Sequence, residues 1–171
     1  MVAPQPQGEQ APPRPVPSLT WHTAHVVNRN AHTDGARPDF VLDRLEQARE
    51  GRRPVLLFVV TSSEDRRFDL ARQTATEIEE ALWRTFDVAT QLQHFDLIRV
   101  DLANLDRDIL RKYRITANAA PQIILYDFEL RHLWGVVGAP NEEFLVTQLE
   151  RARLHCTALA ERVDRATRTR R

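Results

Sequence analysis

A run of polar and charged side chains follows the apolar stretch Val55–Val60 and holds the groups best suited to chemistry. The run consists of Thr61, Ser62, Ser63, Glu64, Asp65 and Arg66. A serine hydroxyl is a poor nucleophile at neutral pH unless a general base lies beside it. No histidine is close to the run in sequence, so His94 or His132 would have to be brought to it by the fold.

The same run also has the composition of a helix start. Ser62 or Ser63 is a suitable N-cap, and acidic side chains such as Glu64 and Asp65 complement the dipole at the N-terminus of a helix. Helix capping, or a charged surface that contacts a partner, would explain these residues without any reaction.

Two other groups of residues are candidates for chemistry. Cys156 is the only cysteine, which excludes a disulfide or a dithiol pair within the chain. Imidazole and carboxylate groups bind zinc, but the spacing of His22, His25, His32 and Asp34 fits no compact template, so surface or capping roles are favoured. We therefore predict no metal, no cofactor and no catalytic residue.

Composition excludes two classes of function. The chain has 24 basic and 24 acidic residues and a formal net charge of zero, which argues against nucleic-acid binding. The longest apolar run, Val55–Val60, is far shorter than the ~20 residues of a membrane-spanning helix, so membrane insertion is not expected. The N-terminus lacks the pattern of a signal peptide, and the cytoplasm is the default expectation.

The elements that must position these residues follow from hydrophobic periodicity. Val55–Val60 and Leu97–Leu102 predict two buried strands, and apolar residues three and four apart between Phe68 and Leu82 predict the helix that joins them. A strand–helix–strand unit implies parallel pairing. The stretch Asp87–His94 is predicted to be a looser connection.

The second half of the chain predicts a short helix, a hairpin and a long helix. The short helix begins at Asn104 or Asp106. Ile123–Tyr126 and Leu130–Val137 are joined by a short turn, which predicts an antiparallel pair. Asn141 is a good N-cap for the last helix.

This order of elements, with four local segments, resembles the thioredoxin superfamily. The segments are RRPVLLFVV, IRVDLANLDRDILRKYRI, AAPQIILYD and VVGAPNEEFLVTQL. The resemblance covers roughly residues 38 to 155. It implies an α/β thioredoxin-like fold with a mixed sheet of four to five strands, flanked by helices and followed by a long C-terminal helix. It also implies an inserted helical segment, because the link from Val60 to Leu97 is longer than usual.

The departures from the family pattern concern the active site. The paired cysteines of the family fall near Ser63 and Arg66, and its buried proton-relay acid falls near Leu57. The chain therefore resembles a redox-inactive member without the CxxC pair. The resemblance implies that Pro121 is cis and faces Thr61–Arg66, so that these residues form a degenerate active-site loop. The alternative is an oxidoreductase or a glutathione-type transferase that uses Ser62 and Ser63.

Two appendages favour attachment to another protein. Residues 1–17 contain six of the ten prolines and are predicted to form an extended arm in which Pro12, Pro13 and Pro15 contact a partner. The predicted thioredoxin-like domain spans residues 18–155. Residues 156–171 are predicted to be a helical extension with a basic tail.

The last helix is predicted to continue to about Thr167, longer than its own domain can cover. Its apolar stripe is heptad-like and consists of Leu145, Leu149, Ala152, Cys156, Leu159, Val163 and Ala166. Cys156, Leu159 and Val163 are predicted to lack cover within the domain. A partner helix, a second copy of the chain or the N-terminal segment would then bury them. The sequence thus predicts a scaffold protein that binds a protein partner or forms a homo-oligomer.

Overall fold

The computed structural model describes residues 14–23 and 40–169, which form one mixed five-stranded sheet with flanking helices. The strands are β1 (Trp21–Thr23), β2 (Val55–Val60), β3 (Asp96–Asp101), β4 (Gln122–Tyr126) and β5 (His132–Val137). They lie in the order β1-β3-β2-β4-β5. The pairs β1–β3 and β2–β3 are parallel, and the pairs β2–β4 and β4–β5 are antiparallel. The predicted parallel unit and hairpin are confirmed.

Five α-helices of the described residues flank the sheet. They are α1 (Phe40–Gly51), α2 (Asp69–Glu80), α3 (Phe86–Leu92), α4 (Arg107–Lys112) and α5 (Glu142–Thr169). Asp106 caps α4, because its carboxylate accepts hydrogen bonds from the backbone of the first turn. Asn141 Oδ1 accepts from Phe144 N at 3.3 Å at the start of α5. None of the described helices has the length and apolar character that crossing a membrane requires.

The central strand β2 is buried along its whole length because helices cover both faces of the sheet. Leu56, Phe58 and Val60 belong to the apolar cluster on the side of α2, α3 and α5. Val55, Leu57 and Val59 belong to the cluster on the side of α1 and α4. Alternate side chains of a strand point to opposite faces, so burial on both faces requires an uninterrupted apolar run.

The stretch Asp87–His94 is more regular than predicted. Most of it forms α3, where Val88, Ala89 and Leu92 are buried. Val88 and Leu92 are four residues apart and lie on one helical face, which packs into the cluster shared with α5. The prediction of a looser connection is wrong, and the implied inserted helix is α3.

The second half of α5 packs against its own domain. Cys156 is 2% exposed and Leu159 is 5% exposed, and both contact Phe128 just after β4. The prediction that Cys156 and Leu159 lack cover within their own domain is therefore wrong. Val163 is half-buried, and Arg52, after α1, forms a 2.6 Å ion pair with Asp164.

The described end of the N-terminal arm also contacts the domain. The guanidinium of Arg14 lies over the ring of Phe86, 5.6 Å from its centroid. Pro17 lines a surface cavity together with Trp21 and Trp83. Pro15 is exposed, whereas Pro12 and Pro13 lie outside the described residues.

Candidate functional site

The loop Thr61–Arg66 begins at the edge of the sheet where the parallel strands end. Val60, the last residue of β2, pairs with Asp101, the last residue of β3. The Oδ1 atom of Asp101 accepts hydrogen bonds from Ser62 N at 3.2 Å and from Ala103 N at 3.0 Å. Asp101 therefore holds the start of the loop against the end of the neighbouring strand.

Serine and threonine hydroxyls in this loop bind its own backbone. Ser63 N donates to Thr61 Oγ1 at 3.2 Å, and Asp65 N donates to Ser63 Oγ at 3.4 Å. Arg72, on α2, donates to the carbonyl oxygen of Ser63. These contacts give Thr61 and Ser63 structural roles in the loop.

Asp65 caps the helical turn that follows the loop. Its Oδ1 accepts from Arg67 N at 3.0 Å, and its Oδ2 pairs with Arg67 Nε at 2.9 Å. The predicted cap at Ser62 or Ser63 is therefore displaced to Asp65. The interpretation of the acidic run as a helix cap holds for Asp65, because its carboxylate accepts a hydrogen bond from a backbone N–H that a helix start leaves free.

Pro121 lies beside this loop, and the Ala120–Pro121 peptide bond is cis. The register pairs Val59 with Gln122, which places Pro121 next to Val60 and the loop that follows it. Gly138 N donates to the Pro121 carbonyl oxygen at 2.8 Å, so β5 supports the proline from the other side. The two parts of the predicted degenerate site are thus adjacent, and we call Thr61–Arg66 together with Pro121 the corner.

Gln122 fixes the chain that leads into Pro121. Its side chain is 2% exposed and makes three hydrogen bonds. Oε1 accepts from Thr116 N at 2.9 Å, and Nε2 donates to the carbonyl oxygens of Thr116 at 2.9 Å and of Ala119 at 2.6 Å. One buried amide therefore closes the loop between α4 and β4.

Comparison with solved structures identifies this arrangement of strands and helices. A structure titled DsbH oxidoreductase is 14% identical over 85% of this chain and 93% of its own, with a TM-score of 0.52. The chain has a thioredoxin-like fold. A disulphide isomerase from Xylella fastidiosa Temecula1 is also similar, at 13% identity over 75% of this chain and 98% of its own, with a TM-score of 0.48. A Fasciola hepatica thioredoxin is 19% identical over 65% of this chain and 90% of its own, with a TM-score of 0.43. No protein-family model and no curated protein matches the sequence.

The positions that the resemblance assigns to reactive sulfur lie in the corner of this thioredoxin-like fold. Ser63 is half-buried and bonded to the loop, and Arg66 is exposed at the start of the helical turn. Leu57, at the position of the relay acid, is fully buried and apolar. Ser63 and Arg66 therefore supply neither a thiol nor a base at the corner.

The two histidines considered as general bases for Ser62 or Ser63 lie at the opposite end of the sheet. His94 precedes β3, whereas the corner follows its far end, roughly 20 Å away along the strand. His132 is opposite Tyr126 at the other end of β4 from Pro121. Burial, and next the charge of Arg114, lower the pKa of His132. Neither histidine therefore lies where the alternative, an enzyme that uses Ser62 and Ser63, would need a general base.

The thiol of Cys156 is also remote from the corner. It lies beside Phe128, which follows the Tyr126 end of β4, whereas Pro121 precedes the other end. Burial raises the pKa of Cys156 to about 11, an effect that the nearby Asp127 adds to and a hydrogen bond from the Phe128 backbone opposes. At neutral pH this cysteine is a protonated, buried thiol, which is a poor nucleophile.

A buried carboxylate that the sequence did not single out connects the hairpin to α5. Asp127 is fully buried, and its Oδ1 accepts from Glu129 N and Arg131 N, each at 2.9 Å. Its Oδ2 lies 3.3 Å from Nε2 of His155. Aspartate is common in turns because it accepts backbone hydrogen bonds, but nothing in the local sequence indicates a partner 28 residues away.

The two cavities described among these residues lie away from the corner. Their volumes are about 450 Å³ and about 430 Å³. The larger includes His22 and Asp96 at the other end of the sheet, and the smaller lies between the N-terminal segment and Trp83. Neither is lined by Pro121 or Thr61–Arg66, so the corner does not contribute to either cavity.

The histidines considered as metal ligands are only partly described. His22 lies in β1, and His25, His32 and Asp34 lie outside the described residues. Within the part of the chain that the structure describes, no three histidine, cysteine or acidic side chains are arranged to hold a metal ion.

Proposed function

We propose that this chain is a redox-inactive thioredoxin-like binding or scaffold protein that engages a protein partner. The observation that carries the proposal is the corner. There Ser63, whose hydroxyl binds the backbone of the loop itself, and the exposed Arg66 occupy the positions that the resemblance assigns to a reactive pair. Disulfide exchange requires attack by a thiolate. The single thiol, Cys156, is buried at the other end of the sheet.

The surface around the corner supports protein binding. Leu70 is 73% exposed in the first turn of α2, directly after the corner's helical turn. Phe144 is 50% exposed in the first turn of α5, and its ring lies 5.9 Å from that of Trp134. Exposed apolar side chains in the first turns of α2 and α5 suit the side chains of a protein partner.

The two ends of the chain would provide further contacts in this proposal. Proline-rich segments favour an extended backbone, so such an arm would lose little conformational entropy on binding. Beyond Leu159, α5 exposes Arg162, Arg165 and Arg168, which suit an acidic surface on the partner. Cys156 and Leu159 are not part of the proposed contact, because the domain itself buries them.

We expect the purified chain to show no catalysis of protein disulfide reduction by a thiol reductant. The rate of disulfide reduction in the presence of the chain should equal the rate with the reductant alone. The Cys156→Ser variant should give the same rate. The measurement is the rate of reduction of a disulfide-bonded substrate protein. A rate above background that the Cys156→Ser variant loses would contradict redox inactivity and assign the reaction to that thiol.

Partner binding is tested by affinity purification from the native source with a Leu70→Lys variant. A charge at this exposed position should reduce recovery of a specific partner at least about tenfold, because a lysine buried in an apolar contact must be desolvated. Leu154→Lys, at a 54% exposed position in the middle of α5, is the matched control. Equal recovery with wild type and Leu70→Lys would exclude the corner as the binding surface.

A further inference from the structure

The smaller of the two cavities, about 430 Å³ in volume, lies between the N-terminal segment and the domain. Its domain wall comes from β1, β3, the end of α2 and the helical turn Leu82–Arg84 that follows α2. The N-terminal segment forms the other wall and contributes Val16, Pro17 and Leu19. Small-molecule sites in proteins usually have volumes of about 300–1,000 Å³, so this cavity has the size of a site for one small ligand.

Two tryptophans form the aromatic part of the cavity wall. Trp21, in β1, is half-buried, and Trp83, in the turn Leu82–Arg84, is 5% exposed. Their ring centroids are 5.6 Å apart, and the ring planes are inclined at 38° to each other. The fully buried ring of Phe58 lies 6.0 Å from that of Trp21 and 5.4 Å from that of Trp83, so the core holds both indoles in place. A wall of this kind suits a planar aromatic group.

Three charged side chains also line the cavity, and they leave one positive charge unmatched. Arg99 Nε lies 2.7 Å from Glu79 Oε1, so these two charges compensate each other. Arg84 is exposed, and it forms no ion pair with any residue in the part of the chain that the structure describes. A guanidinium binds a carboxylate well, because its N–H groups form two parallel charge-assisted hydrogen bonds with the two oxygens. The lining is therefore complementary to a ligand with a single carboxylate.

We propose that this cavity binds a small aromatic carboxylate. The ring of the ligand packs against the indole of Trp21, beside Trp83, and its carboxylate accepts hydrogen bonds from Arg84. An aromatic amide would leave Arg84 without an anion, and an aliphatic acid would leave the indoles without a planar partner. The lining therefore selects a molecule that has both groups. The corner does not line this cavity, so the inference goes beyond the proposed function and does not depend on it.

The wall formed by the N-terminal segment is attached to the same region of the domain. The guanidinium of Arg14 lies over the ring of Phe86, which is two residues after Arg84. Val16 lines the cavity and is 47% exposed, so a ligand in the cavity also removes part of this side chain from water. Burial of apolar surface is favourable, and ligand binding therefore strengthens the contact between the N-terminal segment and the domain.

Titration of the full chain with benzoate, followed by nitrogen–proton correlation NMR, tests the location of the site. The indole N–H resonances of Trp21 and Trp83 should shift and should reach saturation together. Trp134 is the internal control, because it lies in β5 at the opposite edge of the sheet from β1, and its indole resonance should not shift. Unchanged resonances of Trp21 and Trp83, or equal shifts of all three indoles, would overturn the proposal.

Two further ligands test which groups the cavity recognises. Benzamide has the same ring without the charge, and cyclohexanecarboxylate has the charge without the aromatic ring. Each should bind the wild-type chain at least about tenfold more weakly than benzoate, because each lacks one of the two contacts. Equal affinity for benzoate and benzamide would overturn recognition of the carboxylate, and equal affinity for benzoate and cyclohexanecarboxylate would overturn recognition of the ring.

An Arg84→Gln variant assigns the carboxylate contact to its residue. The variant should bind benzoate at least about tenfold more weakly than wild type, because it lacks the charge that pairs with the carboxylate. Its affinity for benzamide should be unchanged. Arg84 is exposed, so the substitution leaves the core intact. Arg151→Gln, at an exposed position on α5, is the matched control and should bind benzoate as wild type does. Equal affinity of wild type and Arg84→Gln for benzoate would overturn the proposed role of Arg84.

Discussion

Replacing Phe58 by alanine is expected to lower the free energy of unfolding by about 3–5 kcal/mol. Phe58 is fully buried in the central strand, and its ring lies 5.4 Å from that of Trp83 and 6.0 Å from that of Trp21. The substitution removes apolar burial and leaves a cavity between β2, β1 and the turn before α3. Urea denaturation followed by tryptophan fluorescence measures the change.

The matched control is Leu70→Ala. Leu70 is 73% exposed, so its truncation should change stability by less than about 0.5 kcal/mol. Single domains are stable by about 5–15 kcal/mol, so the loss expected for Phe58→Ala would remove about a third or more of the stability of a domain in the lower half of that range. A loss for Phe58→Ala no larger than that for Leu70→Ala would show that β2 is not the centre of the core.

The second large effect is expected for Leu159→Ala, which should lower the free energy of unfolding by about 2–4 kcal/mol. Leu159 is 5% exposed and packs with Cys156 and Phe128. The loss should appear in urea denaturation of the monomer and should not depend on protein concentration, because the cover comes from the same chain.

Leu154→Ala provides the control on the same helix, since Leu154 is 54% exposed. Its effect should be within about 0.5 kcal/mol. The competing outcome is a Leu159→Ala variant of normal monomer stability that no longer associates with a partner or a second copy. That result would restore the prediction that the end of α5 is covered by a partner helix or a second copy of the chain.

The fold was largely predictable because its main signals are local. The continuous apolar run Val55–Val60 indicates a strand covered on both faces, and the short turn before His132–Val137 indicates a hairpin. Asn141 and Asp106 cap the helices that they precede in sequence. The missed helix α3 is short, and Val88 and Leu92 give it only one apolar face.

The details of the site depend on contacts between distant residues, which periodicity does not reveal. Asp101 binds Ser62 across 39 residues, and the burial of Asp127 depends on the docking of α5. The same reasoning failed for Leu159, because the sequence does not indicate that Phe128 would reach the helix. The sequence left open that His94 or His132 acts as a general base for Ser62 or Ser63, but the strands place both histidines far from the corner.

Gln122 gives the corner a property that bears on how a partner is recognised. Three hydrogen bonds from one buried amide hold the segment from Thr116 to Ala119, just before the cis peptide bond. That segment is preorganised, so rigid-body docking there would incur little entropic penalty from the protein side. If a partner binds there as proposed, its recognition would depend on shape complementarity rather than on induced fit.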